Sequence, residues 1–222
     1  RGAERNYVFE HKFGANPNLT SGTSTIWTPG GLYPWSALDD PQILYIISTS
    51  ASDTGSLTVY GLDSNYVLQE ETVAMTGTVA VSTQNTFKRI YRMIYRGPGE
   101  NVGVITARTI SGTGTVVGHM QVGTSQTLMS VYTVPARTPS YLTQFTVGIG
   151  KGGDAEFKMF TRDLGEVFRI RSQLELYEQT FTQTYSAPLT LTPCSDIELR
   201  ATTSGNNFAA TGSFDLILDP NY

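Results

Sequence analysis

The chain has 222 residues, with 22 Gly, 10 Pro, one Cys, two His and 15% charged residues, where an average soluble domain carries about 25%. The single cysteine excludes a framework of intramolecular disulfides. The formal charge of −4 and the absence of clustered cations argue against nucleic acid as a partner. Because no apolar stretch reaches the length of a membrane helix, no membrane partner is expected either.

Short runs of β-branched and aromatic residues, separated by Gly, Pro and Asn-Asp-Ser clusters, predict strands along the whole chain. In chain order these strands lie at residues 24–27, 42–49, 56–60, 66–75, 78–83, 87–95, 102–108, 115–122, 127–134, 141–149, 156–161, 168–177, 180–185, 196–202 and 208–218. No segment has a convincing helical period. Short strands at this spacing favour an all-β fold, an antiparallel two-sheet sandwich that is jelly-roll-like and has no substantial helix.

Alternation within a strand predicts which face is buried. In the last strand, Phe214, Leu216 and Leu218 alternate with residues on the opposite face, so one face is wholly apolar and is expected to be covered by an opposing sheet. The run 168–176 alternates in the same way and predicts a second strand with one core face. The run 87–95 carries apolar residues on both faces, which predicts a central strand covered on both sides.

The N-terminal residues 1–22 have turn chemistry and little periodicity, which predicts an arm. Its aromatic residues Tyr7, Phe9 and Phe13 share one face if the segment is extended, and they are candidate interface residues that would reach a neighbouring subunit or another partner outside this domain. Residues 23–222 are then a β-sandwich domain. The Gly-Pro-Gly breaker allows a subdivision near residues 97–101.

No group of residues in the sequence has the pattern of a catalytic or metal site. His11 lies in the predicted arm and His119 at a strand end, and neither has the nucleophile motif of a serine hydrolase nearby. Two His and one Cys without spaced pairs give no zinc signature. We therefore expect no catalytic residue, no cofactor and no metal, and a protein that is not an enzyme; if an ion is bound, Asp53 and Asp63 are its first candidate ligands.

Three aromatic residues, Trp27, Tyr33 and Trp35, lie within nine positions of one another. If their rings are exposed they could stack on sugars, which would favour a carbohydrate-binding β-sandwich. If their rings are buried they close one end of the sandwich. The sequence leaves both interpretations open.

A series of short blocks carries a resemblance to a known family. The blocks are TIW at 25–27, ISTSASDTG at 47–55, VYGLD at 59–63, ETV at 71–73, VAVST at 79–83, FKRI at 87–90, QTLMSVYTVPA at 126–136 and SDIELRA at 195–201. In order and spacing they resemble β-rich virion structural proteins of tailed bacteriophages, marine and cyanobacterial ones especially, over most of residues 23–219. Members of that family carry Gly at the position of Arg137, where this sequence departs from the pattern.

The resemblance implies a non-enzymatic component of a phage particle. We expect a capsid decoration or cement protein that stabilises the head through contacts between subunits, with copies of itself in a homotrimer and the major capsid protein as partners. Its location would be the capsid surface of the virion, after assembly in the host cytoplasm. A tail, neck or head-fibre component, or the carbohydrate-binding module, is the alternative.

Overall fold

The computed structural model describes residues 7–220. In chain order, the first nine strands are β1 (Val8–Leu19), β2 (Gly22–Thr25), β3 (Gln42–Ser48), β4 (Ser56–Leu62), β5 (Leu68–Ala74), β6 (Val81–Phe87), β7 (Arg89–Arg96), β8 (Ile105–Arg108) and β9 (Val116–Met120). The remaining strands are β10 (Val131–Thr133), β11 (Ser140–Ile149), β12 (Asp154–Arg162), β13 (Arg169–Tyr177), β14 (Thr180–Leu191), β15 (Asp196–Thr203) and β16 (Phe208–Leu218). A single 3-10 turn, Trp35–Leu38, is the helical element of the described chain. The predicted all-β antiparallel class is confirmed.

The chain forms two compact units, and the second is inserted into the first. Unit 1 contains the residues up to Leu32 and those from Met129 onward, whereas unit 2 contains Tyr33–Leu128. Unit 1 is therefore built from both ends of the chain. Its first and last strands, β1 and β16, pair along nearly their whole length, from Val8 opposite Leu218 to Leu19 opposite Phe208.

Unit 1 has two sheets, with strand orders β1-β16-β11-β14 and β10-β15-β12-β13, and β2 also pairs with β15. The two sheets are made from the same long strands. β11 lies between β16 and β14, and its continuation β12 lies between β15 and β13, with the register carried on from one sheet to the other. Each long strand therefore bends at a corner and passes from one sheet into the next, as strands do in sandwiches whose sheets share strands.

The corners carry backbone conformations that a regular strand does not allow. Gly152, Glu178 and Asn207 have φ values of 75°, 46° and 65°, and only Gly adopts such values without steric cost. Backbone bonds connect the corners to one another: Glu178 N–H donates to the carbonyl of Gly153 at 3.0 Å. The Gly-rich stretch 150–154 is such a corner and does not form a hairpin turn, because β11 and β12 belong to different sheets and do not pair with each other.

The core of unit 1 lies between its two sheets. A Cβ added to Gly212 of β16 would meet Ile26 Cδ1 at 2.8 Å and Leu199 Cδ1 of β15 at 2.9 Å, so the backbone of one sheet directly contacts side chains of the other. The fully buried aromatic side chains of this core are Tyr132, Phe145, Phe157 and Phe214. Phe214, Leu216 and Leu218 are buried, and β16 lies between β1 and β11, so the prediction of an interior last strand is confirmed.

Unit 2 also consists of two antiparallel sheets, with orders β6-β3-β8-β9 and β5-β4-β7. Its core joins buried residues of both sheets with Leu38 of the 3-10 turn; among them are Leu44, Ile46, Leu57, Phe87 and Met93. Most residues of β7 are buried, as the sequence predicts. Its position differs from the prediction, because β7 ends its sheet's strand order instead of occupying the centre.

The predicted N-terminal arm is wrong for the described residues. Residues 8–19 form β1, which pairs with β16 of the same unit over ten register positions. Lys12, Gly14 and Asn16 are buried on its inner face, although small and polar residues give that face no apolar periodicity. Residues 1–6, which the prediction also covers, lie outside the described residues.

The proposed subdivision near residues 97–101 is also wrong, because this segment lies inside unit 2. Asp53 holds it in place by accepting hydrogen bonds from the N–H groups of Val102 (2.7 Å) and Gly103 (2.9 Å). Asn101 is buried and donates to the carbonyls of Gly103 and Gln121. The Gly-Pro-Gly segment therefore belongs to the loop between β7 and β8, and these bonds anchor the end of that loop.

Candidate interaction surface

The outer face of β1 carries exposed aromatic side chains. Phe9 and Phe13 of β1 are 63% and 41% exposed, and Tyr7, directly before the strand, is 52% exposed. Their spacing by two and four residues places them on one side of an extended chain. The structure therefore brings together the three residues that the sequence singles out for an interface. It places them on a sheet of unit 1, where they do not belong to a separate arm.

An apolar stripe crosses this face of the sheet. Phe9 lies opposite Ile217 of β16, which in turn lies opposite Tyr141 of β11. Ile217 and Tyr141 are half-buried, and aligned neighbours on one sheet face are close enough for their side chains to touch. The exposed aromatic residues of β1 are thus continuous with apolar side chains on the two neighbouring strands.

A row of polar side chains, His11, Asp215 and Gln144, crosses the same three strands next to the apolar stripe. His11 Nδ1 is 2.5 Å from Asp215 Oδ1, and Gln144 Nε2 donates to the other carboxylate oxygen at 2.6 Å. Asp215 is buried by these two neighbours, while the His11 side chain is 54% exposed. The carboxylate fixes the orientation of the imidazole on the surface, between Phe9 and Phe13. The sequence gives no sign of this pair, because its members are 204 positions apart.

The structure corrects the glycan-stacking interpretation of Trp27, Tyr33 and Trp35. Their side chains are only 4%, 4% and 6% exposed. Trp27 Nε1 donates to the carbonyls of Gly30 and Gly31 within unit 1. In unit 2 the Tyr33 hydroxyl donates to the carbonyl of Val117 at 3.1 Å, and the Tyr33 ring meets the Trp35 ring edge-on at 4.9 Å between centroids. Because no ring face is open to a sugar, the packing interpretation holds.

The other residues that could carry chemistry, His119, Cys194 and Asp63, have environments typical of structural residues. Burial, and then the charge of Arg108, lowers the pKa of His119. Burial, and then the charge of Asp196, raises the pKa of the Cys194 thiol, which disfavours the nucleophilic thiolate. Asp63 accepts the N–H groups of Asn65 and Val67 in a turn.

The carboxylate of Asp53 is fully buried and also accepts a bond from the Ser48 hydroxyl at 2.5 Å. Burial raises the pKa of Asp53, but the bonds from Ser48, Val102 and Gly103 outweigh burial and lower it overall. Among residues 7–220 no three His, Cys, Asp or Glu side chains group together as metal ligands. The described chain likewise has no helix of the length and apolarity that a bilayer requires.

These observations define an all-β protein whose candidate site is a strand-edge surface. No family model matches the chain, and no curated protein matches it. Among solved structures, it is similar to infectious bursal disease virus, Gx strain, at 11% identity and a TM-score of 0.30, covering 100% of this chain and 75% of the other. It is also similar to the VP2 subviral particle of infectious bursal disease virus, at 11% identity and a TM-score of 0.29, covering 99% and 74%. At this sequence identity and TM-score, the similarity does not indicate a shared function.

Proposed function

We propose that this chain is a structural protein of a phage virion, a head decoration or cement protein that stabilises the capsid through subunit contacts. The observation that carries the proposal is the exposed aromatic surface at β1, formed by Phe9 and Phe13 of the strand and by Tyr7 directly before it. Large exposed apolar side chains that lie together mark protein interaction sites. The block series over residues 23–219, which resembles phage virion proteins, supports the same role.

In this role the partners are copies of the chain in a homotrimer and the major capsid protein, and the location is the capsid surface after assembly in the host cytoplasm. The proposed role consists of binding and involves no catalytic step. Many weak contacts in an oligomer add up to stable attachment through avidity. The apolar stripe of Phe9, Ile217 and Tyr141 supplies one such contact per subunit.

Electron microscopy of purified particles tests the location. Density for this chain on the head, at threefold or quasi-threefold positions, is the expected result. Density at the neck, tail or a head fibre would overturn the decoration role while leaving a virion role standing. Absence of the chain from purified particles would overturn both.

A pair of matched variants tests the surface. The double variant Phe9→Ser with Phe13→Ser is expected to fold but to bind heads poorly, because it removes the exposed aromatic groups from β1. The control is Val79→Ser with Ile110→Ser, which removes two side chains of unit 2 that are 65% and 61% exposed. Equal loss of head binding in both double variants would contradict the assignment of the surface to β1.

A further inference from the structure

Strand β13 is the last strand in the order of its sheet and pairs with β12 alone. Glu178 N–H, one residue beyond the strand, points toward Gly153 at the start of β12. Backbone groups alternate in direction along a strand, so those of Gln173, Glu175 and Tyr177 point away from β12. The edge therefore presents a row of donors and acceptors to which another strand could add.

The side chains of this edge are largely exposed. Along β13 only Leu176 is buried, whereas Ile170 and Tyr177 are 49% and 65% exposed. A register shift against β12 makes Arg171 the extra residue of a β-bulge, so the regular part of the strand is residues 172–177. This regular part is long enough for a short intermolecular ladder.

The charges of the edge are separated by sign. The side chains of Arg169 and Arg171 lie at the beginning of the strand, and those of Glu175 and Glu178 lie at its end. An antiparallel copy of the strand would bring each cationic half opposite an anionic half. A parallel copy would bring like charges together.

An acidic pocket lies at the anionic end. It has a volume of about 500 Å³ and is lined by carboxylates of Asp154, Glu156 and Glu175, together with Tyr177 and the segment 202–204. Glu156 and Glu175 are directly opposite each other in the register of β12 and β13, and like charges in that position destabilise a sheet. Lys158 pairs with Glu156, which leaves the pocket with an excess of negative charge.

We propose that β13 pairs antiparallel with β13 of a second copy of this chain, about a twofold axis at Leu174. In this register Gln173 and Glu175 of one copy form the hydrogen-bonded backbone pair with Glu175 and Gln173 of the other. Arg171, the bulge residue just before the regular part of the strand, then lies near Tyr177 of the other copy, at the rim of the acidic pocket. The pocket thus receives a second cation beside Lys158 of its own subunit, and the two five-stranded sheets join into one.

This inference rests on the proposed function only in naming one contact of an assembling protein. A twofold contact joins two chains, so the β13 pairing is a different contact from the threefold contacts of the proposed homotrimer. The β13 pairing can be disproved independently of the virion role, because it concerns the isolated chain in solution. A chain that is monomeric but bound to heads would overturn the β13 pairing and leave the virion role intact. A dimer that is absent from particles would do the reverse.

Sedimentation velocity of the purified full chain tests the pairing. We expect a dimer that weakens as the salt concentration rises, because charges of opposite sign face each other across it. Gln173→Pro removes an outward N–H without touching the ladder to β12, and edge strands tolerate proline at such positions. It is expected to give a folded monomer. A wild-type chain that stays monomeric, or a dimer unchanged in Gln173→Pro, would overturn the proposal.

Charge reversal tests the pocket. Glu175→Arg is expected to raise the dimer dissociation constant at least about tenfold, and adding Arg171→Glu to it should restore most of the affinity. The matched control is Glu70→Arg, since Glu70 lies on β5, the terminal strand of a unit 2 sheet, and is also exposed. If Glu70→Arg weakens the dimer as much as Glu175→Arg, the interface is elsewhere.

Crosslinking tests the register. With the axis at Leu174, two copies of Leu174→Cys are close enough for an intermolecular disulfide, whereas two copies of Leu176→Cys are not. Efficient crosslinking of Leu174→Cys alone is the expected result. Equal or better crosslinking through Leu176→Cys would overturn the proposed pairing.

Discussion

Strands β13 and β16 have the same sequence pattern but different surroundings. Both alternate apolar and polar residues, and both are expected from that alternation to bury one face. β16 lies between β1 and β11, and its apolar face is buried throughout. β13 lies at the end of its sheet, where Leu174 is only half-buried. The bulge at Arg171 turns Ile170, which is 49% exposed and lies opposite Phe160, to the other face.

The difference shows what alternation does and does not determine. It fixes that a segment is a strand and which side chains share a face. Whether that face is covered depends on the strands on both sides and on the sheet opposite, which are contributed by distant parts of the chain. The same pattern can therefore serve as core in β16 and as a candidate contact surface in β13.

The largest expected effect is the loss of β16. Deleting residues 208–222 removes the strand between β1 and β11 and uncovers the core of unit 1, so the product is expected to be insoluble or to lack cooperative unfolding. Solubility, circular dichroism and thermal melting measure this. A soluble truncation with a cooperative melt would show that unit 1 does not depend on β16.

A smaller effect is expected from single leucines on the two strands. Leu216→Ala is expected to cost about 2–5 kcal/mol of unfolding free energy, because it leaves a cavity in a closed core. Leu174→Ala on β13 is expected to cost less than about 1.5 kcal/mol, since less area leaves water when that side chain packs. Urea denaturation monitored by fluorescence gives both values, and similar losses would contradict the contrast between the strands.

Hydrogen exchange compares β13 and β16 at the level of individual backbone amides. The amides of β16 are bonded on both sides of the strand and should exchange slowly, near the rate set by global unfolding. The amides of Gln173, Glu175 and Tyr177 point away from β12. They should exchange slowly in the wild-type dimer and fast in the Glu175→Arg variant at a concentration below its dimer dissociation constant. Fast exchange in both proteins would count against intermolecular pairing at this edge.

A pH-dependent effect is expected where the β13 hairpin joins the rest of unit 1. The hydroxyls of Thr192 and Ser195 each donate to Asp163 Oδ1 at 2.9 Å, and these bonds are the main cause that lowers the pKa of Asp163. Because the pKa of Asp163 is lower in the folded state than in the unfolded state, the ionised carboxylate stabilises the fold at pH values above its unfolded pKa of about 4. This stabilisation is lost as the pH falls through the lower pKa of the folded state.

The Asp163→Asn variant should therefore be less stable than the wild type at neutral pH. On acidification from pH 5 to pH 2 the variant should lose less stability than the wild type loses. Melting curves across this range are the measurement, with Asp40→Asn as the control at an exposed turn residue. An acid-side slope equal to that of the wild type would show that Asp163 does not contribute.

The smallest effect is expected from chelation. Asp53 and Asp63, the first candidate ligands, accept hydrogen bonds from backbone N–H groups. Treatment with a chelator should leave the melting temperature unchanged within error for both units. A fall of several degrees would reveal a structural ion.

Much of the local structure follows from sequence because its causes are local. The alternation of Phe214, Leu216 and Leu218 correctly predicts β16, and the spacing of Tyr7, Phe9 and Phe13 correctly groups them on one face. The backbone conformation at Arg137 is a further feature with a local cause. It has φ of 57°, in the left-handed region that favours Gly, and Gly is the residue of the resembled family at that position.

Other features could not be predicted because their causes are distant in the chain. β1 has no apolar period, since its inner face carries Lys12, Gly14 and Asn16, and only its pairing with β16 makes it a strand of the sheet. The His11 and Asp215 pair depends on the same pairing. The burial of Trp27 and Trp35 likewise required the fold, because aromatic residues suit both a core and a binding surface.

By itself the sequence determined the all-β class, most of the strands and the faces that their side chains share. These features depend on the two-residue repeat of an extended chain and on the turn chemistry of Gly, Pro, Asn and Asp. Only the tertiary structure decided that both chain ends build unit 1, that residues 33–128 form an inserted unit, and which strands lie at an edge. Strand order is set by pairings between residues up to about two hundred positions apart, such as Val8 with Leu218, and no local pattern encodes such a partner.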